Sequence, residues 1–246
     1  MSSKALHDEK IETAKHTLIH NGIENGLELE NITSPITVQT KLFKRKQGKY
    51  EVFYRYPFLN ANDNPSLDIF NNFIKNTYLN IDLPVRKVLN KDKLTCDQGY
   101  VDQERMKRVS DYKVYTADGT RLSLLLYKAN QYMDKEQSSY MFKTINFDIV
   151  KGQFLDFYTT FKDGSEASIL KELNQILYEK VKAEHGFEEC TLVTPKDFEK
   201  YKHNFVINTA SIKFYFDDCV MCPVYTGNYF IEVPKAKISK WLISHA

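Results

Sequence analysis

The spacing of apolar and polar positions changes several times along this chain, and each change marks an element. From Ile36, apolar and polar residues alternate through ITVQTKLFKR, pause at KQGK, and resume through YEVFYRYPFL. A period of two on both sides of a Gln-Gly tip predicts a hairpin. Asn60 to Pro65 is a polar turn. Then Leu67, Phe70, Phe73, Ile74, Tyr78 and Ile81 recur at steps of mostly three or four. That spacing predicts an amphipathic helix, capped by Asn64 or Ser66 with Pro65 in its first turn. Pro84 ends or bends it. Residues 85–110 are charged and weakly periodic, and read as partly helical.

Strand patterns dominate the middle of the chain. YKVYTADG turns at Asp118-Gly119 and RLSLLLYKANQYM returns, a second hairpin. YMFKTINFDIV runs to a turn at Lys151-Gly152, and QFLDFYTTFKDGS reads on with the strands to Asp163-Gly164. ASILKELNQILYEKVKAEHG is a helix whose stripe is Ile169, Leu170, Leu173, Ile176, Leu177 and Val181, with Gly186 suited to its C-terminal stop. Thr194-Pro195 opens a short helix through Lys200. FVINTASIKFYFDD is a strand pair, YFIEVP another strand, and KAKISKWLIS a final helix. At the start of the chain, Ile11, Ala14, Leu18 and Ile19 lie near helical spacing in a polar segment, and Asn21 to Asn31 reads as a loop. The elements add up to an α+β fold: antiparallel hairpins packed against a few helices, in two intimately joined halves.

Composition narrows the function. The chain has 246 residues, 42% hydrophobic and 27% charged, with a net charge of +2. That balance is globular, and gives no global pull towards nucleic acid or anionic membrane. The 16 Tyr and 16 Phe against 9 Gly and 7 Pro favour aromatic strands. No stretch approaches the roughly 18 apolar residues that cross a bilayer. The opening MSSKALHDEKIETAKHTLIH has no apolar signal-peptide core. Two homes stay open on these grounds, the cytoplasm, or an exported protein whose signal peptide is not part of this sequence.

Candidate chemistry is sparse. The cysteines are Cys96, Cys190, Cys219 and Cys222, and only the last two form a short pair. A structural zinc site usually takes two such pairs. A thioredoxin-type centre needs its first cysteine at a helix N-terminus, whereas Pro223, Tyr225, Thr226 and Gly227 make a loop here. Buried reduced thiols and disulfides remain. His16 and His20 are four apart, but Thr17 stands where a metalloprotease helix carries glutamate, and the pair reads as solvated. His185 and His203 are single and flank loops. There is no glycine-rich phosphate loop and no nucleophile elbow. Asp156, Asp163, Glu166, Asp217 and Asp218 read as solvated turns and helix caps rather than a glycosidase pair. No metal, cofactor or catalytic set is expected. Phe157, Tyr158, Tyr225 and Tyr229 lie in or beside loops, where they either anchor a ligand or complete the core.

Three stretches carry a resemblance to a known group. FKTINFDIVKGQFLDFYTTFKDGS shows a strand, a glycine turn, a hydroxyl-rich segment, a lone Phe and Asp-Gly. ILKELNQILYEKV comes next as a helix. IKFYFDDCVMCPVYTGNYFIEVPKAKISKWL gives an aromatic strand, Pro then Tyr, Gly, a strand ending in Pro and a last helix. Together they resemble the extracytoplasmic domain of the RsiV/PdaC type, found in an anti-sigma factor and in a peptidoglycan deacetylase. The region SPITVQTKLFKRKQGKYEVFYRYPFLNANDNPSLDIFNNFIKNTY resembles the companion domain that precedes it. The likeness spans about residues 35–243. Asp217, Asp218, Cys219 and Cys222 depart from it, standing where that group has apolar or small residues.

Residues 1–34 read as a polar, partly helical extension, and the resemblance implies a companion α+β subdomain over 35–135 and an RsiV-like α+β subdomain over 136–246. It implies an extracytoplasmic bacterial protein, periplasmic, secreted or lipid-anchored, in which disulfides are the default state of cysteine. Cys190 is then expected to join Cys219 or Cys222. It further implies a non-enzymatic envelope protein that binds a lysozyme-like protein or a peptidoglycan fragment, and no nucleic acid. The expected contact residues are Tyr158, Thr159, Thr160 and Asp163 in one loop, and Tyr225, Thr226, Asn228 and Tyr229 in another. A cell-wall glycan or peptide hydrolase and a cytosolic partner-binding module are the alternatives.

Overall fold

A computed structural model of the chain describes residues 38–60, 65–91, 104–133, 138–184, 187–223 and 226–243. The expectations placed on 1–34, on Cys96, on Asn64, on His185 and Gly186, and on Tyr225 lie outside the described residues.

The first predicted hairpin is β1 (Val38–Gln47) and β2 (Tyr50–Leu59), paired without a break from Val38↔Leu59 to Gln47↔Tyr50. The chain then forms α1 (Pro65–Asn72), which continues as a π-helical segment (Phe73–Leu79), and, after Pro84, the short helix α2 (Val85–Leu89). The predicted stripe is the buried one: Leu67, Phe70 and Ile74 have almost no exposed surface. Asn71 ties α1 to the sheet, accepting from Leu59 N at 2.9 Å and donating to its carbonyl at 2.8 Å. Among the described residues of the charged stretch, Val85–Leu89 is helical, and a strand has already begun by Arg105.

That strand, β3 (Arg105–Ala117), lies parallel to β2 through Glu51↔Lys107 to Tyr54↔Ser110. β4 (Arg121–Tyr132), β5 (Ser138–Asp148) and β6 (Gln153–Leu155) continue antiparallel, completing a six-stranded sheet in the order β1-β2-β3-β4-β5-β6. β4 and β5 pair from Arg121↔Asp148 to Gln131↔Ser138. Gly152 sits in the β5–β6 turn at φ +65°, and a Cβ there would meet the Ser66 side chain of α1 at 2.6 Å. Only glycine serves both needs.

QFLDFYTTF departs from its strand reading. β6 stops at Leu155, and Phe157–Thr160 is a turn of helix, α3. The cause is local: Asp156 accepts from Thr159 N at 2.9 Å while Thr159 Oγ1 accepts from Asp156 N at 2.7 Å, a reciprocal capping box. Next come α4 (Glu166–Ala183) and α5 (Pro195–Tyr201), the latter capped by Thr194 as its sequence predicts. A second sheet holds β7 (Phe205–Ile207), β8 (Ser211–Tyr215) and β9 (Phe230–Pro234) in that order. The predicted final helix is shorter than its pattern, α6 (Lys235–Ile238) followed by a 3-10 turn (Ser239–Trp241).

These elements stack as four layers. Leu122, Leu124, Leu126, Ile145 and Phe147 pack under α1 and α2. The alternate positions, Leu125, Tyr127, Tyr140 and Phe142, meet Val206 and Tyr215 of the second sheet and Tyr229 just before β9. The far face of that sheet, with Ile212, Phe214, Ile231 and Val233, packs on Ile169, Leu173 and Leu177 of α4. β4 is thus covered on both faces, which is why LSLLLY is apolar without alternation.

Polar side chains join the layers. Arg108 is fully buried and donates to Asn130 Oδ1 at 2.7 Å and to the Val88 carbonyl at 2.9 Å, placing its charge at the C-terminus of α2. Between the sheets, Ile207 N donates to Ser123 Oγ at 2.8 Å and Asn146 Nδ2 to the Phe205 carbonyl at 2.9 Å. Along β5, beyond the reach of β6, three side chains take the backbone amides. Asn204 Oδ1 accepts from Thr144 N at 2.7 Å, Asp217 Oδ1 from Phe142 N at 2.7 Å, and Asp218 Oδ2 from Tyr140 N. A row of side chains stands in for a missing strand.

Candidate binding site

Among the described residues, the exposed aromatic ring of the expected contacts is Tyr158. In α3 the capping box turns Phe157 inward, where it is fully buried against Phe161 at a ring separation of 4.6 Å. The next residue necessarily faces out, and Tyr158 is 47% exposed. The end of α5 braces it. Lys202 Nζ donates to Tyr158 Oη at 2.5 Å and to Glu199 Oε2 at 2.8 Å, while its own side chain is only 3% exposed. Burial alone would lower the Lys202 pKa, but the Glu199 carboxylate and the Tyr158 hydroxyl outweigh it and hold it above the ordinary lysine value. His203 completes the rim. Its Nδ1 accepts from Phe157 N at 3.2 Å, and its ring lies edge-on to Tyr158 at 5.5 Å. In the neutral ring the proton is therefore on Nε2.

An exposed phenol ring with its hydroxyl pinned offers a flat, pre-ordered apolar face, and a carboxylate, an ammonium and an imidazole stand around it. That combination suits the apolar face and hydroxyl rim of a sugar, or a side-chain anchor of a protein. Thr159 and Asp163 are exposed on the same segment. Thr160 is not: it is 1% exposed, and its carbonyl accepts from Ile243 N at 3.0 Å.

The second expected segment is different in kind. Thr226 Oγ1 donates to the Pro223 carbonyl at 2.8 Å, and Asn228 N donates to Thr226 Oγ1 at 3.2 Å, around Gly227 at φ +69°. Thr226 and Asn228 are half-buried. Tyr229 is 3% exposed, its ring 4.7 Å from Phe142 and 5.8 Å from Tyr140. Tyr229 is a core residue between the sheets, and burial raises its pKa well above that of a free tyrosine. The neighbours of Tyr158 are Lys202 and His203; those of Tyr229 are β5 aromatics.

Asp217 and Asp218 are not solvated turn residues. Besides their β5 bonds, Asp217 Oδ2 accepts from Tyr201 Oη at 3.1 Å. Asp218 is 1% exposed, and its Oδ1 has no hydrogen-bond partner among the described residues. Burial, with the Asp217 charge adding to it, raises the Asp218 carboxyl well above the usual range. The pair is a structural clasp on β5.

Of the two expected disulfide pairings, the chain forms Cys190–Cys222, spanning 32 positions from the turn after α4 to the loop after β8. Cys219, at φ +60°, is also disulfide-bonded, and among the described residues no cysteine is a free thiol. Among the described residues no group of three or more His, Cys, Asp or Glu side chains could hold a metal ion. No described helix is long and apolar enough to cross a membrane.

The α+β architecture has solved counterparts. A DUF3298 family protein of Bacteroides fragilis aligns with a TM-score of 0.60 at 13% identity, covering 87% of this chain and 96% of that one. A DUF3298 family protein of Pseudomonas aeruginosa PAO1 aligns with a TM-score of 0.57 at 13% identity, covering 87% and 97%. At that identity the likeness is one of fold. No sequence family and no curated protein matches the chain.

Sequence reasoning placed Tyr158, Thr159 and Asp163 on this surface and missed Glu199, Lys202 and His203. The signal was EKYKHN at the end of the predicted α5, a polar run with a lone histidine at a helix C-terminus.

Proposed function

We propose that this chain is a non-enzymatic bacterial envelope protein of the RsiV/PdaC type that binds a lysozyme-like protein or a peptidoglycan fragment. One arrangement carries the reading: the exposed Tyr158 ring, its hydroxyl 2.5 Å from the nearly buried Lys202, with Glu199 and His203 at its rim. A surface aromatic this firmly braced sacrifices little conformational entropy on binding. The Cys190–Cys222 disulfide supports an oxidising, extracytoplasmic home over the cytosolic alternative.

Co-sedimentation with insoluble peptidoglycan and titration with lysozyme test the reading. The protein is expected to bind one of them and to release neither reducing sugar nor peptide from the wall. Release of fragments would establish the hydrolase instead, and failure to bind either would discard both ligand classes.

A further inference from the structure

The six-stranded sheet has two edges, and the fold treats them differently. At one edge β6 is only three residues long, and beyond it the amides of Thr144, Phe142 and Tyr140 are taken by Asn204, Asp217 and Asp218. At the other edge β1 runs ten residues in register with β2, with no bulge. Among the described residues no strand pairs with its outer side. In an antiparallel pair, alternate residues of the outer strand turn both N–H and C=O away from the neighbour. β1 thus presents a regular row of backbone donors and acceptors, ready for a further strand.

Charge says what kind of strand fits. β1 itself carries Lys41, Lys44, Arg45 and Lys46 and no acid, in a chain whose net charge is only +2, and of these Lys44 reaches Glu51 of β2 at 3.2 Å. By alternation, Lys44 and Lys46 lie on one face with Leu42, and Lys41 and Arg45 lie on the other with Phe43. Leu42 is 66% exposed in the middle of the strand. A second copy of this edge would set lysine opposite lysine, which opposes self-pairing. We propose that β1 is a docking edge for an extended, acidic segment of a partner protein, added to the sheet as a further strand. Its acids lie on the face of Lys44 and Lys46, and an apolar residue among them covers Leu42. This surface is separate from the Tyr158 platform and does not rest on it.

The test uses the full chain and a ten-residue peptide alternating glutamate and threonine around a central leucine, with a lysine-for-glutamate peptide as control. The acidic peptide is expected to bind, to slow amide exchange within 38–47, and to lose its affinity in high salt, while the control does not bind. The double variant Lys44→Gln, Lys46→Gln is expected to bind the acidic peptide about tenfold more weakly, the size of two cross-strand charge pairs, with its melting temperature lowered by no more than the loss of the exposed Lys44–Glu51 ion pair. Equal binding of the two peptides, or protection confined to other segments, overturns the proposal. So does slow exchange of the outward β1 amides in the free chain, which would mean that the edge is already covered, or a concentration-dependent dimer formed through 38–47.

Discussion

Replacing Asp111 by asparagine should remove a defined part of the pH dependence of stability. Asp111 lies on β3 with its side chain 7% exposed; its Oδ2 is 3.1 Å from Arg55 Nη1, and its Oδ1 accepts from Tyr112 N at 2.8 Å. Burial pushes its pKa up from 3.8 to about 6, against the opposing pull of the Tyr112 amide, Arg55 and the Tyr127 hydroxyl. Below the unfolded value the folded and unfolded chains both hold the proton, and the group is neutral to stability. Between the two values the folded chain keeps a proton that the unfolded chain has lost, so raising the pH favours unfolding. Above about 6 the cost is complete. A gap of about 2 pKa units corresponds to about 3 kcal/mol. The assay is urea unfolding of wild type and Asp111→Asn across this range. The stability of the variant relative to wild type should climb by about 3 kcal/mol as the pH passes from below 4 to above 6, on top of any constant offset from the altered Arg55 contact. The Asp218 contribution is common to both proteins and cancels. A flat difference curve, or one that falls with pH, would refute the reasoning and show that Arg55 holds the carboxylate ionised despite its burial.

The packing sets three further outcomes. Tyr229→Ala should lower stability by roughly 3–5 kcal/mol, as a large core truncation does, and should leave ligand binding by the remaining folded protein unchanged, which denaturant melts and a titration will separate. Asp217→Ala should cost about 1–3 kcal/mol by stranding Phe142 N and Tyr201 Oη, whereas Asp217→Asn, which keeps the acceptor for Phe142, should cost less and preserve slow exchange of that amide. Thiol labelling of unreduced protein should modify none of Cys190, Cys219 and Cys222, and Cys190→Ala with Cys222→Ala should reduce stability by about 4 kcal/mol, the chain-entropy value for a loop of this length.

Much of the fold is legible because its signals are local. The turns at Gly48, Gly119 and Gly152 all carry positive φ, as their Gln-Gly, Asp-Gly and Lys-Gly patterns indicate. The stripe of α4 is the stripe that is buried. What the sequence does not announce is non-local. The parallel β2–β3 pairing depends on a crossover through α1 and α2, and parallel strands are not encoded by any turn. α3 was hidden because FYTT has strand propensity, and only the reciprocal bonds of Asp156 and Thr159 override it. Asp217 and Asp218 read as turn acids because nothing in their own neighbourhood reveals the unpaired β5 amides they serve. For the site, a tyrosine beside a loop has two outcomes: the α3 capping box and the burial of Phe157 leave Tyr158 facing solvent, while packing between the sheets buries Tyr229.

The most direct test of the binding role is a calorimetric titration of wild type and Tyr158→Ala with lysozyme and with soluble peptidoglycan fragments, each paired with a thermal melt. Binding to one of these ligands by wild type is predicted, with a loss of roughly 2 kcal/mol or more in the variant, the size of a hot-spot truncation. The melting temperature should stay nearly unchanged, since Tyr158 is 47% exposed. Wild-type affinity in Tyr158→Ala, or no heat of binding from either ligand in wild type, would contradict the claim.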